Sequence, residues 1–455
     1  MAKQGVFDEL LVHCAHAFNQ PSLENFCVLV VGWVLAGMRA MTSTALRALG
    51  SSADKHFSTY YRFFSRAVWQ PDALGTCLVH LLLAHAPAGP LTAVVDDTIA
   101  RKSGKHIWGA NIHHDPLHFM KNALCFGHNW VVLALVIRVP LVERPVAVPV
   151  YWRLYRSKKK RSGRTREGKR EIKATGVPTQ KEYRTRPELA VEMLHALRAA
   201  VDAARPIRVL GDSAYGGKSV SRHIPENTAL VSRMVMDAAL YEEAPEPKPG
   251  RNGRPRTKGK RLASPQQMAQ SQTPWHTLTA RLYGRCVSVE YKTIDALWYN
   301  SAGTRMLRIV VVRDPKGKRK DDCFFSTDRS MSPEAILEAY AMRWSLEVAF
   351  RDSKQCLGFE RSQCWTRKAV ERTGPFAFVS YAIVVLWFCQ HGHQLYPRAI
   401  TPVPWYRHKR CPSFADMHHT ARFAILSQGL FETPWKNRPK PKLTEHAESL
   451  LRLAA

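Results

Sequence analysis

The segment from Tyr340 to Lys354 constrains the fold more than any other stretch. Tyr340, Arg343, Glu347 and Lys354 stand at the spacing Y-x2-R-x3-E-x6-K inside an apolar-periodic run. At the turn angle of an α-helix the four fall within about 60° of arc, so one narrow stripe carries all of them. Leu337, Trp344 and Val348 flank the stripe on one side and Leu346 and Phe350 on the other. The stripe is therefore expected to face inward, where unpaired charge is expensive. Glu334, Glu338, Ser345 and Asp352 gather on the far side as the expected solvent face. A single i,i+4 pair such as Arg343 with Glu347 is ordinary on a helix surface. Four reactive groups on one inward stripe instead fit a wall of an active site that handles polyanions and metal.

Such a site needs further carboxylates, and two short apolar runs supply them. Leu91–Val95 reads as a buried strand that stops at Asp96-Asp97-Thr98, and Ile207–Gly211 as another that stops at Asp212-Ser213. An acid at the carboxyl end of a strand sits where open α/β sheets assemble ligand sites. Two strand-end aspartates and one helix glutamate can converge on Mg²⁺, which takes oxygen ligands and is commonly held by one or two carboxylates plus phosphate oxygens. A pair of such ions stabilises both the attacking and the leaving oxygen of a phosphodiester displacement.

With these residues in place the chain resembles the DDE transposases of bacterial insertion sequences, in particular the insertion-sequence-four superfamily with its Y-R-E-K signature. The likeness runs from about Leu91 to Gln390 and includes the three acids and their order. The stretches Asp96–His106 and Phe126–Val132 also look like sequences near the first strand of that group. The resemblance implies an RNase H-like catalytic fold and cut-and-paste transposition. It also implies two Mg²⁺ per active site, with Mn²⁺ as a substitute, held by three acids. Asp96 and Asp97 are adjacent, and strand alternation sends them to opposite faces, so only one is expected to bind metal. Asp97 precedes Thr98 as Asp212 precedes Ser213, and first acids in the family commonly precede Thr. The expected triad is therefore Asp97, Asp212 and Glu347. Tyr340, Arg343 and Lys354 are expected beside them to position phosphates, arginine as a fork and lysine as a point charge.

The charge agrees with a polyphosphate partner: 67 Lys and Arg against 37 Asp and Glu leave a formal +30. Counterion release from DNA rewards that excess, whereas solubility requires far less. Double-stranded DNA, as terminal inverted repeats and as target, is the expected partner, with a homodimer or higher assembly forming on it. No membrane partner is expected, since the apolar runs Phe26–Met38 and Phe378–Cys389 are short and read as core helices. The N-terminal residues lack a secretory pattern, and the ten cysteines are scattered without a CxxC. A cytoplasmic, nucleoid-associated protein with reduced thiols is the expectation. Cys389, His391, His393, Cys411, His418 and His419 offer zinc-type donors, but their spacing matches no standard site.

The expected architecture is α/β. Residues 1–88 read as a helical N-terminal domain for DNA binding, and 89–234 as the first part of the RNase H-like core. Residues 235–329 read as a β-rich insertion, 330–400 as the glutamate helix with a packing helix, and 401–455 as a basic tail ending in a short helix. Strands are expected at Leu91–Val95, Trp130–Arg138, Val146–Trp152, Ile207–Leu210 and Ala229–Ser232, with a helix at Pro187–Ala204 between the third and fourth. By sequence pattern alone this is mixed α/β; the RNase H-like order comes from the resemblance.

Two basic stretches interrupt these units. Ser157–Lys173 contains nine Lys or Arg against two Glu, and Lys248–Arg261 reads KPGRNGRPRTKGKR. Lys158, Lys159, Lys160 and Arg161 in the first, and Arg254 and Arg256 in the second, are expected DNA contacts. In related enzymes an aromatic of the insertion grips a flipped base; Trp298 and Trp275 are the candidates here. Two other readings compete with an active transposase. One is a transposase-derived protein that binds DNA without cutting. The other is a DDE-type nuclease that cuts without joining.

Overall fold

In the computed structural model, described residues are 5–104, 106–115, 123–158, 163–165, 168–170, 175–246, 255–400 and 409–431. Among them, helices α1 (Asp8–Val12), α2 (Gln20–Ala36), α3 (Thr42–Leu49), α4 (Phe57–Ser65) and α5 (Pro71–Leu83) precede the first strand. Strands β1 (Leu91–Arg101), β2 (Asn111–His114), β3 (Leu124–Ile137) and β4 (Val146–Tyr155) follow, then the short hairpin β5 (Gly163–Thr165) and β6 (Gly168–Arg170). Next come α6 (Arg186–Ala200), β7 (Ile207–Gly211), α7 (Lys218–Ser221) and β8 (Thr228–Met234). The insertion supplies α8 (Pro265–Gln270), β9 (His276–Leu282), β10 (Arg285–Leu297), α9 (Tyr299–Ala302), β11 (Met306–Arg313) and β12 (Asp322–Ser326). The chain continues through α10 (Pro333–Met342), α11 (Trp344–Leu357), α12 (Arg367–Thr373), α13 (Phe376–Trp387), α14 (His393–Ala399) and α15 (Phe414–Phe431).

One large sheet organises the molecule. Its central order is β4-β3-β1-β7-β8, with β3 antiparallel to both neighbours and β1, β7 and β8 mutually parallel. Three strands joined by hairpins, a helical crossover by α6 to a strand beside β1, then one more parallel strand form the RNase H-like arrangement. The α6 crossover is what parallel neighbours require, since a hairpin cannot join them. Beyond β8 the insertion continues the same sheet, β12 pairing antiparallel to β8 and followed by β11, β10 and β9. β10 is one unbroken strand from Arg285 to Leu297. At the tip of the β9–β10 hairpin Tyr283 and Gly284 have φ of 53° and 80°, the left-handed pair that a two-residue turn demands.

The two faces of the sheet are covered differently. Helices α10 and α11 cross one face, and α5 and α6 lie on the other. The N-terminal helices share their core with α13: Phe376 meets Phe26, Trp33, Phe63 and Phe64, mostly edge to face. Arg372 reaches into this junction and donates to the Phe64, Ala67 and Trp69 carbonyls, so a buried guanidinium ties α4 to α12. Tyr60, Phe63 and Phe64 of α4 therefore lie in the core, while Arg62 and Arg66 stay at the surface.

Gln20–Arg39 and Arg367–Ala399 are long and apolar enough to cross a membrane, but the second is 89% buried within the protein. Near the end of the described chain a helix joins the core. α15 packs against α2, α13 and α14, and His418 bonds the Val34 carbonyl at 2.8 Å. Burial holds that imidazole down to about 4, so it sits neutral in the core. The short helix expected at the end of the tail lies outside the described residues.

Candidate active site

β1 does not stop before its aspartates but runs through them to Arg101, and its register with β7 decides what they face. Val95 pairs with Gly211, so the next step along both parallel strands puts Asp96 beside Asp212 on one face. Over that face lies Arg343. Its Nη1 is 2.6 Å from Asp96 Oδ2 and 2.9 Å from Glu347 Oε1, so one nitrogen bridges the strand acid and the helix acid. Burial is the main force lifting the Asp96 carboxyl to about 7; Arg343 opposes it, and the charges of Asp212 and Asp97 add to it. Burial also penalises the Arg343 charge, yet Asp96, Glu347 and Tyr340 outweigh it and hold the guanidinium above the ordinary arginine value. The Arg343 Nε is buried with no hydrogen-bond partner among the described residues.

Asp97 points the other way, into a set of fixed donors. Arg186, at the start of α6, reaches its two oxygens at 3.2 and 2.9 Å. Asn129 Nδ2 donates to it at 2.9 Å and the Tyr215 hydroxyl at 3.0 Å. Tyr215 is fully buried, and burial followed by the Asp97 charge keeps its hydroxyl protonated well above the usual phenol range. The expectation that Asp97 joins Asp212 and Glu347 is thus corrected: strand alternation sends it to the α6 face, and three residues already use its oxygens. Asp96 is the acid that the register brings to Asp212. The signal that finds it is the pairing of β1 with β7, which no local motif contains.

The Tyr340–Lys354 stripe does face the sheet, with two corrections. The helical hydrogen bonding is interrupted at Arg343, whose φ of −51° and ψ of −36° stay helical, so that α10 ends at Met342 and α11 begins at Trp344. The expected solvent face is also partly wrong, because Ser345 and Asp352 are buried. Trp344, expected to pack inside, is 52% exposed and meets Tyr283 edge to face at 6.5 Å. Tyr340 is half-buried against Phe324, with centroids 4.6 Å apart, and the Arg343 guanidinium lies 5.7 Å from its ring. Lys354 Nζ donates to the Ile99 carbonyl at 2.8 Å and pairs with Glu360 at 3.4 Å. It therefore sits further along β1 on the side away from the strand's start.

The remaining expected residues scatter. Trp298 precedes α9 and packs edge-on against Phe325, centroids 5.7 Å apart. α9 itself touches the loop after Asp212, since Ser301 Oγ donates to the Gly216 carbonyl at 3.1 Å. Trp275 lies under two cations, Lys292 at 4.6 Å and Arg313 at 4.2 Å. Lys158 stands over the Tyr183 ring at 4.0 Å and Arg256 is exposed. Lys159, Lys160, Arg161 and Arg254 lie outside the described residues.

Among the described residues no group of three or more His, Cys, Asp or Glu side chains is drawn together as a metal site. The donor set on the Asp96 face is nevertheless of the hard, oxygen-only kind that divalent magnesium takes. Arg343 stands between two of its members with the positive charge that those carboxylates require.

Comparison with known proteins places the chain in a family. Residues 19–289, which hold Asp96 and Asp212, match the family described as DDE superfamily endonuclease. Residues 297–394, which hold Glu347, match the family described as archaeal putative transposase ISC1217. No curated protein matches the chain. A solved structure, a cryo-EM piggyBac transposase synaptic complex with hairpin DNA, aligns with a TM-score of 0.39 at 9% identity, covering 98% of this chain and 84% of that one.

Proposed function

The chain belongs to the DDE superfamily endonucleases, and from that membership we propose that it is a transposase that cuts its element from DNA and joins it to a new target. The observation that carries the reading is the Asp96–Asp212 pair on one sheet face, with Glu347 drawn to Asp96 through Arg343. Asp96, Asp212 and Glu347 are the residues that would hold divalent ions, Mg²⁺ first and Mn²⁺ as substitute. Such ions, when bound, lower the pKa of an attacking water or 3′-hydroxyl and stabilise the leaving oxygen.

The chain's own residues then have distinct tasks. Arg343 partly offsets the charges of Asp96 and Glu347 in the resting protein, and its guanidinium is the cation that stands nearest the acids for a phosphate oxygen. Tyr340 sets the side on which that guanidinium lies. Lys354, held to β1 by the Ile99 carbonyl, places a second cation downstream of the acids. The +30 charge supplies the unspecific grip on double-stranded DNA, both element ends and target. With that charge free protomers repel, so we place the homodimer on the DNA, where two inverted ends suit a two-fold assembly. A chromosomal substrate puts the action in the cytoplasm, at the nucleoid.

The test is an assay of nicking and strand joining on duplexes carrying the inverted repeats that border the reading frame, with and without Mg²⁺. Cation-dependent nicks at the repeat ends followed by joined products are expected. Cleavage without joining would shift the reading to a nuclease, and tight binding without cleavage to a DNA-binding descendant.

A further inference from the structure

The segment between α11 and α12 is held unusually firmly for a connection without secondary structure. It starts at Gly358, whose φ of 64° ends α11 and where a Cβ would meet the Ala40 carbonyl oxygen at 2.6 Å. Lys102 Nζ then donates to the Glu360 and Ser362 carbonyls at 2.8 and 2.7 Å. The Trp365 carbonyl accepts from the Trp108 backbone at 3.1 Å, and Cys364 Sγ donates to Thr373 Oγ1 at 3.4 Å. Burying Lys102 to make these bonds is costly enough that desolvation lowers its ammonium to about 8.

What this rigid strap presents is a single tryptophan. Trp365 is 67% exposed, and among the described residues no ring packs on its indole. A lone exposed apolar side chain needs no explanation by itself. Here, however, the exposed Arg361, Arg367 and Lys368 lie within four residues of it in the chain. Arg367 pairs with Glu371 at 3.4 Å and lies over the Trp108 ring, and among the described residues no acid pairs with Arg361 or Lys368. The strap is also continuous with the proposed active site, because Glu360 at its start pairs with Lys354 at 3.4 Å. An immobilised aromatic among cations is the arrangement that binds single-stranded nucleic acid, the ring stacking on a base and the cations on phosphates. Bases inside a duplex show only their edges in the grooves, so a ring face selects a base whose own face is free.

We propose that Trp365 is a stacking platform for an unpaired nucleotide at the DNA end being processed, with Arg361, Arg367 and Lys368 holding the adjoining phosphates. This rests on the transposase reading and adds to it the form of the DNA: a duplex with a short single-stranded extension. The proposal separates the platform from the unspecific charge, which grips blunt duplex equally well.

The experiment compares binding of two fluorescent duplexes, one blunt and one with a three-nucleotide 3′ extension, to full-length wild-type, W365A and W365F proteins without divalent cation. The wild type is expected to prefer the extended duplex. W365A should weaken that binding by about tenfold, within the range measured for loss of base stacking, and leave blunt duplex within about twofold. W365F should retain most of the preference. A W365A protein that binds both duplexes as the wild type does, or that loses both equally, overturns the platform. Failure of the wild type to bind either duplex at low salt would instead overturn the DNA reading beneath it.

Discussion

Asp96 and Asp97 are neighbours on one strand with the same side chain, yet their surroundings have opposite character. Asp97 faces α6 and spends its oxygens on Arg186, Asn129 and Tyr215, donors that lie at or within 3.2 Å. Asp96 faces α10 and α11, where a single guanidinium serves it and Glu347 together while Asp212 stands alongside. In the first environment fixed donors already use both oxygens of the carboxylate. The second has more negative charge than its one cation balances, and carboxylates held together in that way await further positive charge. Two adjacent residues thus meet different surroundings because the pleat turns them to different faces, not because their local sequence differs, and the proposed function assigns chemistry to Asp96 alone.

The largest separation between the faces is expected from the acids that flank Asp96. Asp212→Asn and Glu347→Gln should each lower Mg²⁺-dependent nicking on the order of 10³-fold, the several kcal/mol that metal-assisted charge stabilisation provides. Neither should lower the melting temperature, since each removes one of a set of crowded like charges. A smaller effect of opposite sign comes from Arg343→Gln. Removing the cation that competes for Asp96 and Glu347 should tighten Mn²⁺ binding by about tenfold, an electrostatic change of one pKa unit in scale, while nicking falls. Titration calorimetry checks it, and unchanged affinity would mean that Arg343 does not occupy the place of a metal.

On the other face the expected effects are on stability alone. Tyr215→Phe removes a buried donor to Asp97 and should cost about 1 kcal/mol, read as a lower midpoint in urea with nicking per folded molecule unchanged. Arg186→Ala should cost less, about 0.5–1 kcal/mol, because its side chain is 45% exposed and solvent screens the pair. A loss of activity in Tyr215→Phe without loss of stability would break the division between the faces.

Much of this was legible in the sequence, and the failures have a common cause. The strand at Ile207–Gly211 and the acid after it were found because a short apolar run ended by a polar pair is a local signal. The Y-R-E-K spacing likewise placed Glu347 on the sheet-facing side, because helical periodicity is local. The choice between Asp96 and Asp97 depends on the pairing of Val95 with Gly211, a contact between distant segments that no window contains. β1 was also cut short at Val95, since Asp is disfavoured in strands and the acids read as an end. α15 was missed for a related reason. Asp416, His418 and Thr420 are buried polar residues, each bonded, so the helix lacks the apolar stripe by which a core helix is read. The burial of Ser345 and Asp352 depends on which elements pack against α11, contacts between distant segments that helical periodicity does not contain.

The most direct test of the account sets Asp96→Asn beside Asp97→Asn, each measured for Mg²⁺-dependent nicking of end DNA and for thermal unfolding. Asp96→Asn is expected to abolish nicking and melt no lower than the wild type. Asp97→Asn is expected to nick normally when folded and to melt several degrees lower, having lost the charge that Arg186 pairs with. The reverse pattern, an active Asp96→Asn protein and a stable but inactive Asp97→Asn protein, would contradict the assignment of the two faces.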